Sequence, residues 1–330
     1  MYFRHNHIGK MLFKDPEMFW HYVVASGLRT AYAKVHKRKK KMRTKHYAGK
    51  IVHPQQYGNE ILSEMISSGI PFMFGRCGSN ELIMAGSGLL VERGIMREVY
   101  KPNLEVACFH SGLYPNDTDT MLKYHYLIAE ACRQSDIYGV FYWIWEDYYL
   151  KKFSNKNTTF THANMLDFWR YEKPFTSALK GKKVLVVHPL AEQIEQQYEK
   201  RELLFENPNV LPEFKLYTLK AIQTVAGEKD PRAADWFDGL DYMYREAMKI
   251  DFDIAILGCG AYGMPLAGML KKAGRSVIYM GGVTQMLFGI RGGRWDTDPV
   301  ASKLYNEHWV SPDAKSAPKR AKDVEDSCYW

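Results

Sequence analysis

Short apolar runs alternating with helix-length stretches predict an α/β protein built on a doubly wound, mostly parallel, Rossmann-like sheet. Three observations carry this. Val184-Leu185-Val186-Val187, Ile254-Ala255-Ile256-Leu257 and Ser276-Val277-Ile278-Tyr279-Met280 are nearly continuous apolar segments, the pattern of strands covered on both faces. Helix-length segments lie between them and supply the crossovers that parallel strands need. Glycine turns follow two of the runs directly, at Gly258-Cys259-Gly260-Ala261-Tyr262-Gly263 and at Gly281-Gly282. Sheets of this kind bind ligands in the crevice at the carboxyl ends of their strands, so the residues just after each strand are the ones to inspect.

Taken in order, the chain opens with an N-terminal helical and basic extension, residues 1–50, ahead of a catalytic body over 51–330. Residues 18–25 are apolar and aromatic but too short to cross a bilayer, and no signal-peptide cleavage site follows them. Nine Lys and Arg residues and no acid lie between Lys34 and Lys50, which leaves the remainder of the chain at −1 out of a formal net charge of +8. The basicity is therefore local. It marks a solvated arm or, with the apolar stretch before it, an amphipathic element over 17–50 for an anionic membrane surface. No interleaved aromatic pattern supports nucleic-acid binding.

Within the body, apolar periodicity predicts helices over 55–68, 80–90, 118–134, 193–198, 236–249 and 265–272. Strands are predicted over 71–74, 138–145, 184–187, 214–219, 254–257 and 276–280. Residues 101–119 read as loop, with Lys101-Pro102-Asn103 and Tyr114-Pro115-Asn116-Asp117 as turn formers. There is no internal repeat. At 46% hydrophobic and 25% charged residues the composition is that of a globular protein, while the aromatic content of 14% is high and suits carbohydrate binding. The five cysteines are widely spaced with no C-x-x-C pair, which argues against a disulfide framework or zinc knuckle and fits a reducing cytoplasm. Cys77 and Cys259 read as small packing residues, since neither has an adjacent histidine to activate it.

The first glycine turn has the spacing of a dinucleotide-binding turn, but the strand after it, 276–280, ends without the Asp or Glu that would hold a ribose. Arg275 precedes that strand, so no arginine stands at its end for a 2′-phosphate. Exposed amides after Gly260 still suit a phosphate or diphosphate. The second cluster, with Gly282, Thr284, Gln285, Arg291, Arg294 and Trp295, combines close backbone approach with cationic and aromatic side chains, and reads as a loop closing over an anionic, ring-bearing ligand. His188, after a strand and before a proline, is placed to contact donor phosphate or base, and structural burial is its alternative role.

Phe74-Gly75-Arg76-Cys77-Gly78-Ser79-Asn80-Glu81-Leu82 falls at a strand-to-helix junction, where Ser79 can cap the helix and Glu81 lies in its first turn. Capping does not account for Arg76. Here the chain resembles the GT-D-type glycosyltransferases, bacterial enzymes whose early motif reads roughly Arg-Phe-Gly-Asp-Gly-Glu. Arg76-Cys77-Gly78-Ser79-Asn80-Glu81 matches it at Arg, Gly and Glu, and the likeness runs over most of residues 55–310, through Tyr114-Pro115-Asn116, the strand to His188-Pro189, the first glycine turn and the loop to Trp295.

The resemblance implies a nucleotide-sugar donor, a glycan or lipid-linked acceptor in cell-surface polysaccharide or glycoconjugate assembly, and work at the inner face of the membrane. It implies catalytic roles for Glu81, Arg76 and Asp117, and donor contacts from Gly75, Gly78, Ser79, Asn80, His188, Gly258, Gly260, Tyr262, Gly263, Gly282, Thr284, Gln285 and Arg294. It also implies a divalent cation, Mn²⁺ or Mg²⁺, on the donor diphosphate with Glu81 as a ligand. Ser79 stands where the family has Asp, and a hydroxyl is a poorer ligand for a hard cation. Asp117, Asp119, Glu146 and Asp147 are the other carboxylates on offer, and Arg76 with helix termini offers a metal-free alternative. The run Tyr142-Trp143-Ile144-Trp145-Glu146-Asp147-Tyr148-Tyr149 pairs sugar-stacking aromatics with acids, although at least half of its aromatics belong in a core. Two other readings stay open: a dinucleotide-binding oxidoreductase, and a sugar-nucleotide-binding or assembly protein without turnover.

Overall fold

The strands are β1 His46–Tyr47, β2 Lys50–His53, β3 Met73–Gly75, β4 Ile137–Val140, β5 Thr159–His162, β6 Lys183–His188, β7 Lys215–Lys220, β8 Ile254–Leu257 and β9 Ser276–Tyr279. In the computed structural model, which describes residues 5–25, 27–28, 31, 45–320 and 323–324, they form one sheet in the order β1-β2-β5-β4-β3-β9-β8-β6-β7. Only β1 and β2 pair antiparallel; the other seven pairings are parallel. The doubly wound α/β sheet read from the apolar runs is thus the observed fold.

Period-two alternation divides the core between the two faces. Leu185, Val187, Ala255, Leu257, Val277 and Tyr279 pack into one buried cluster, and Val184, Val186, Ile254, Ile256 and Ile278 into the other. Both sets are buried, which is why these strands read as unbroken apolar runs. Helix Ser79–Glu92 lies close to helix Thr118–Gln134 where Gly88 carries no side chain, and Gly86 on the same helix makes room for Trp145. A Cβ at Gly86 would overlap the Trp145 indole, and one at Gly88 the Met121 carbonyl.

Two segments depart from the sequence reading. Residues 101–119 hold a helix, Lys101–Ser111, with Pro102 near its start. Proline fits the first turn of a helix, where its missing N–H costs nothing. The aromatic run extends only as far as Val140 as a strand. Beyond it, Tyr142 (φ 61°) and Trp145 (φ 71°) adopt left-handed conformations, and helix Glu146–Phe153 begins.

The sheet begins at His46, ahead of the boundary drawn at residue 50, and the N-terminal helices lie on the body. Met11 and Met18 are fully buried, and Asp15 accepts from Met18 N–H at 2.9 Å and Tyr148 O–H at 2.7 Å. Phe13 (88% exposed) and Trp20 (59%) face outward. Most of the basic block, residues 32–44, lies outside the described residues. No helix among the described residues is long and apolar enough to cross a membrane.

Candidate functional site

Chain order explains where the crevice opens. From β6 the sheet grows outward to β7 and then inward through β8 and β9, so the connections diverge between β6 and β8, where doubly wound sheets bind ligands. A cavity of about 280 Å³ lies there, across the carboxyl ends of the strands. Twelve of the sixteen residues expected at a site line it: Arg76, Gly78, Ser79, Asn80, Glu81, His188, Gly258, Gly260, Tyr262, Gly282, Gln285 and Arg294.

The other four do not line it, and each has a packing role. Gly75 lies inside β3, where a Cβ would press on Ser135 and Met264. Gly263 opens helix Gly263–Lys272 against the Tyr279 ring. Thr284 is fully buried, and its hydroxyl donates to the Leu257 carbonyl at 3.5 Å. Asp117 caps helix Thr118–Gln134, accepting from Thr120 N–H at 2.8 Å, so the expected catalytic carboxylate is here a helix cap.

Arg76 is the distinctive group. Its guanidinium carbon lies 4.8 Å from the centroid of the Tyr279 ring and 5.4 Å from that of Phe141, within cation–π range of both. Its Nε is buried without a hydrogen-bond partner, and among the described residues no carboxylate pairs with it. Gly281 makes this position available: at φ 62° it takes a left-handed conformation, and a Cβ there would overlap the Arg76 Nη2. A cation packed against two aromatic rings, with no salt-bridge partner among the described residues, is suited to receive an anion.

Glu81 is buried in the first turn of helix Ser79–Glu92, and its carboxylate accepts from the backbone N–H of Gly78 and, at 2.7 Å, from Tyr279 O–H. The same hydroxyl lies 2.8 Å from the Gly260 carbonyl, so Tyr279 ties the first glycine turn to the Arg76–Glu81 turn. The remaining cavity amides include those of the Gly260–Tyr262 turn, which runs straight into helix Gly263–Lys272 and presents its N-terminal end to the cavity.

His188 is buried, and its Nδ1 accepts from the Leu190 N–H at 3.1 Å, which assigns the proton to Nε2. Burial pushes its pKa down to about 3, so it is a neutral hydrogen-bond donor and not an acid–base group. Gly258 allows this approach, since a Cβ would overlap the imidazole. Cys77 and Cys259 are buried and burial pushes both thiols up, which matches small packing residues.

A divalent cation finds a poor donor set here. Glu81 is the only carboxylate among the described residues lining the cavity, and both its oxygens already accept hydrogen bonds. Ser79 adds only a hydroxyl, short of the oxygen ligands a hard cation gathers. No group of three or more His, Cys, Asp or Glu suited to a metal occurs among the described residues.

The aromatic run contributes differently from a stacking platform. Tyr142, Trp145, Tyr148 and Tyr149 are buried, while Phe141 and Trp143 line the cavity. Glu146, fully buried, holds this loop by accepting from the N–H groups of Phe141, Tyr142 and Trp143 at 3.1, 2.6 and 3.2 Å. Burial raises its pKa from the ordinary 4.5 to about 8, against the lowering effect of those amides. With the folded value above the unfolded one, the native state binds the extra proton, so this group's contribution to stability declines as pH rises from about 4.5 to about 8. Urea melts at both ends of that window are expected to show a decline on the order of 2–4 kcal/mol, largely absent in Glu146→Gln. An equal decline in the variant would assign the pH dependence to other groups.

Gln223 and Thr224, which the sequence places just after a strand and so among the residues to inspect, also line the cavity, as do Tyr279, His110, Ile222 and Val225, which sequence reasoning missed. Tyr279 stands at the end of the strand where a ribose-binding acid was sought, so position was a usable signal. His110, Ile222 and Val225 carry no motif. No protein-family model, curated protein or solved structure matches this chain.

Proposed function

We propose that this chain is a glycosyltransferase that moves a sugar from a nucleotide-sugar donor to a glycan or lipid-linked acceptor in cell-surface polysaccharide or glycoconjugate assembly. The observation that carries the reading is Arg76, a cation without a carboxylate partner, in the same cavity as a helix N-terminus and the buried carboxylate of Glu81. Departure of a nucleoside diphosphate breaks the bond from the sugar carbon to the phosphate oxygen and leaves the electron pair on that oxygen. Arg76 and the amides beyond Gly260 supply positive potential there. The acceptor oxygen bonds to the sugar carbon, and its proton passes to Glu81. Charge neutralisation in this scheme needs no cation. The neutral His188 Nε2–H offers a further donor to the diphosphate.

A second reading, a sugar-nucleotide-binding protein without turnover, draws support from the hydrogen bonds that occupy both Glu81 oxygens. Donor hydrolysis with and without Mn²⁺ separates the two, since a binder gives no free sugar in either case. The oxidoreductase reading draws nothing from the end of β9, where Tyr279 replaces the acid that would hold a ribose.

The proposal extends to location: the exposed Phe13 and Trp20, together with the lysine-rich block that follows, serve an anionic cytoplasmic membrane surface. Deleting the whole extension would expose the Met11 and Met18 contacts, so point changes are the cleaner test. Replacing Phe13 and Trp20 by Ser and the four lysines Lys37, Lys39, Lys40 and Lys41 by Gln is expected to release the protein from phosphatidylserine vesicles, with soluble-acceptor turnover nearly unchanged. Undiminished vesicle binding would remove the membrane role.

A further inference from the structure

A second cavity, of about 230 Å³, adjoins the first and shares Arg76, Phe141, Gly282 and Arg294 with it. None of the residues that close its far side entered the sequence expectations. They come from the stretch after β5, residues 163–170, and from the loop beyond Trp295. We infer that this cavity is a monosaccharide subsite, which takes the ring of a neutral sugar on the side of Arg76 away from the nucleotide.

The argument starts from what a pyranose presents: two faces of C–H groups and a rim of hydroxyls that both donate and accept. The lining answers both. Phe141, Trp169 and Trp295 give it aromatic surface, and Trp169 is only half-buried, held by an edge-to-face contact with Phe168 at 4.9 Å. Its polar wall holds Asn164, Asp167 and Asp298. Asp167 uses Oδ2 for Arg170 Nε at 2.8 Å and Asn164 Nδ2 at 3.5 Å, and among the described residues nothing donates to its Oδ1. Asp298 commits Oδ1 to the N–H groups of Val300 and Ala301, at 2.9 and 2.8 Å, which likewise leaves Oδ2. Two carboxylate oxygens, an amide and aromatic faces around one small space match the hydroxyls and C–H faces of a sugar.

Charge on the far wall argues the same way. Arg76 and Arg294 stand on the side shared with the first cavity, whereas across from them Arg170 is already paired with Asp167, so the far wall is suited to a neutral ring rather than to a second anion. At about 230 Å³ the cavity is smaller than the neighbouring one at about 280 Å³, and a single ring is the size of group assigned to it. The reaction assignment of this subsite rests on the glycosyltransferase reading, but sugar recognition by the cavity is a property of its own lining. The ring is either the donor's own sugar or the acceptor's terminal one, and binding measurements tell them apart.

The test uses the full chain, a panel of uridine and guanosine diphosphate sugars with their parent nucleotides, and a panel of methyl glycosides, titrated by calorimetry. Two variants accompany the wild type: Trp169→Ala, which removes aromatic surface, and Val283→Phe, which fills the cavity from another element; thermal melting verifies that each is folded. If the donor's sugar occupies the subsite, both variants erase the affinity advantage of the nucleotide sugar over its nucleotide, about tenfold or more, and leave nucleotide affinity unchanged. If the acceptor's sugar occupies it, both lose methyl glycoside binding by about tenfold and keep the nucleotide sugar. Folded variants that bind every probe as the wild type does overturn the subsite. Glycoside binding lost in the variants, with no nucleotide bound by the wild type, supports the subsite and overturns the donor reading. Absence of binding to either panel overturns both.

Discussion

Glu81→Gln is expected to lower sugar transfer by at least about 100-fold, the scale of a lost general base, with little change in stability. The substituted amide has the size of the carboxylate and can keep its local bonds. Its oxygen accepts from the Gly78 N–H, and its NH₂ donates to the Tyr279 oxygen, whose own proton then serves the Gly260 carbonyl at 2.8 Å. The net cost to folding should therefore stay at about 1 kcal/mol or less. Single-turnover rates and thermal melts on the same samples separate chemistry from folding. Near-normal turnover in the variant would take Glu81 out of the mechanism and leave it a helix-capping residue.

Gly281→Ala should cost donor affinity about 100-fold, although the added methyl group would touch no ligand. The new Cβ takes the space of the Arg76 Nη2, so the guanidinium must leave its place against Tyr279 and Phe141. The left-handed φ of 62° adds a folding penalty on the order of 1 kcal/mol, which a melt will register. Arg76→Ala is the companion. If both substitutions act through the same guanidinium, the double variant is no worse than Arg76→Ala alone. Additive losses, or unchanged nucleotide affinity in Gly281→Ala, would show that Arg76 does not receive the diphosphate.

The parts of the fold that could be read in the sequence are those whose physics is local or periodic. Strands β6, β8 and β9 are buried on both faces and therefore appear as apolar runs, and the glycine turns after β8 and β9 mark where backbone must bend or be approached closely. Helices Gln55–Ser68 and Thr118–Gln134 carry one buried face each and were bounded by their periodicity. Edge strand β1 and the two strands next to it, β2 and β5, were not legible, because the segments that begin at His46, Lys50 and Thr159 mix polar and apolar positions over only two to four residues. The strand expected over 138–145 ended early because the buried acid Glu146 gathers the three consecutive amides of Phe141, Tyr142 and Trp143, which a sheet ladder would otherwise use.

The site divides along the same line. Arg76, Glu81 and the residues from Gly258 to Tyr262 were found because they follow strands directly. Asp117 was misplaced because a carboxylate after a proline turn looks alike in sequence whether it faces a ligand or caps a helix. Tyr279 went unnoticed as a partner of Glu81 because the two lie 198 residues apart and meet only through the pairing of β3 with β9.

The most direct test of the central claim is calorimetric titration of the wild-type chain with uridine and guanosine diphosphate sugars, their parent nucleotides and NAD⁺. The account predicts that a sugar nucleotide and its nucleoside diphosphate bind, that Arg76→Ala loses both, and that NAD⁺ does not bind. Tight NAD⁺ binding with no affinity for any sugar nucleotide would contradict it.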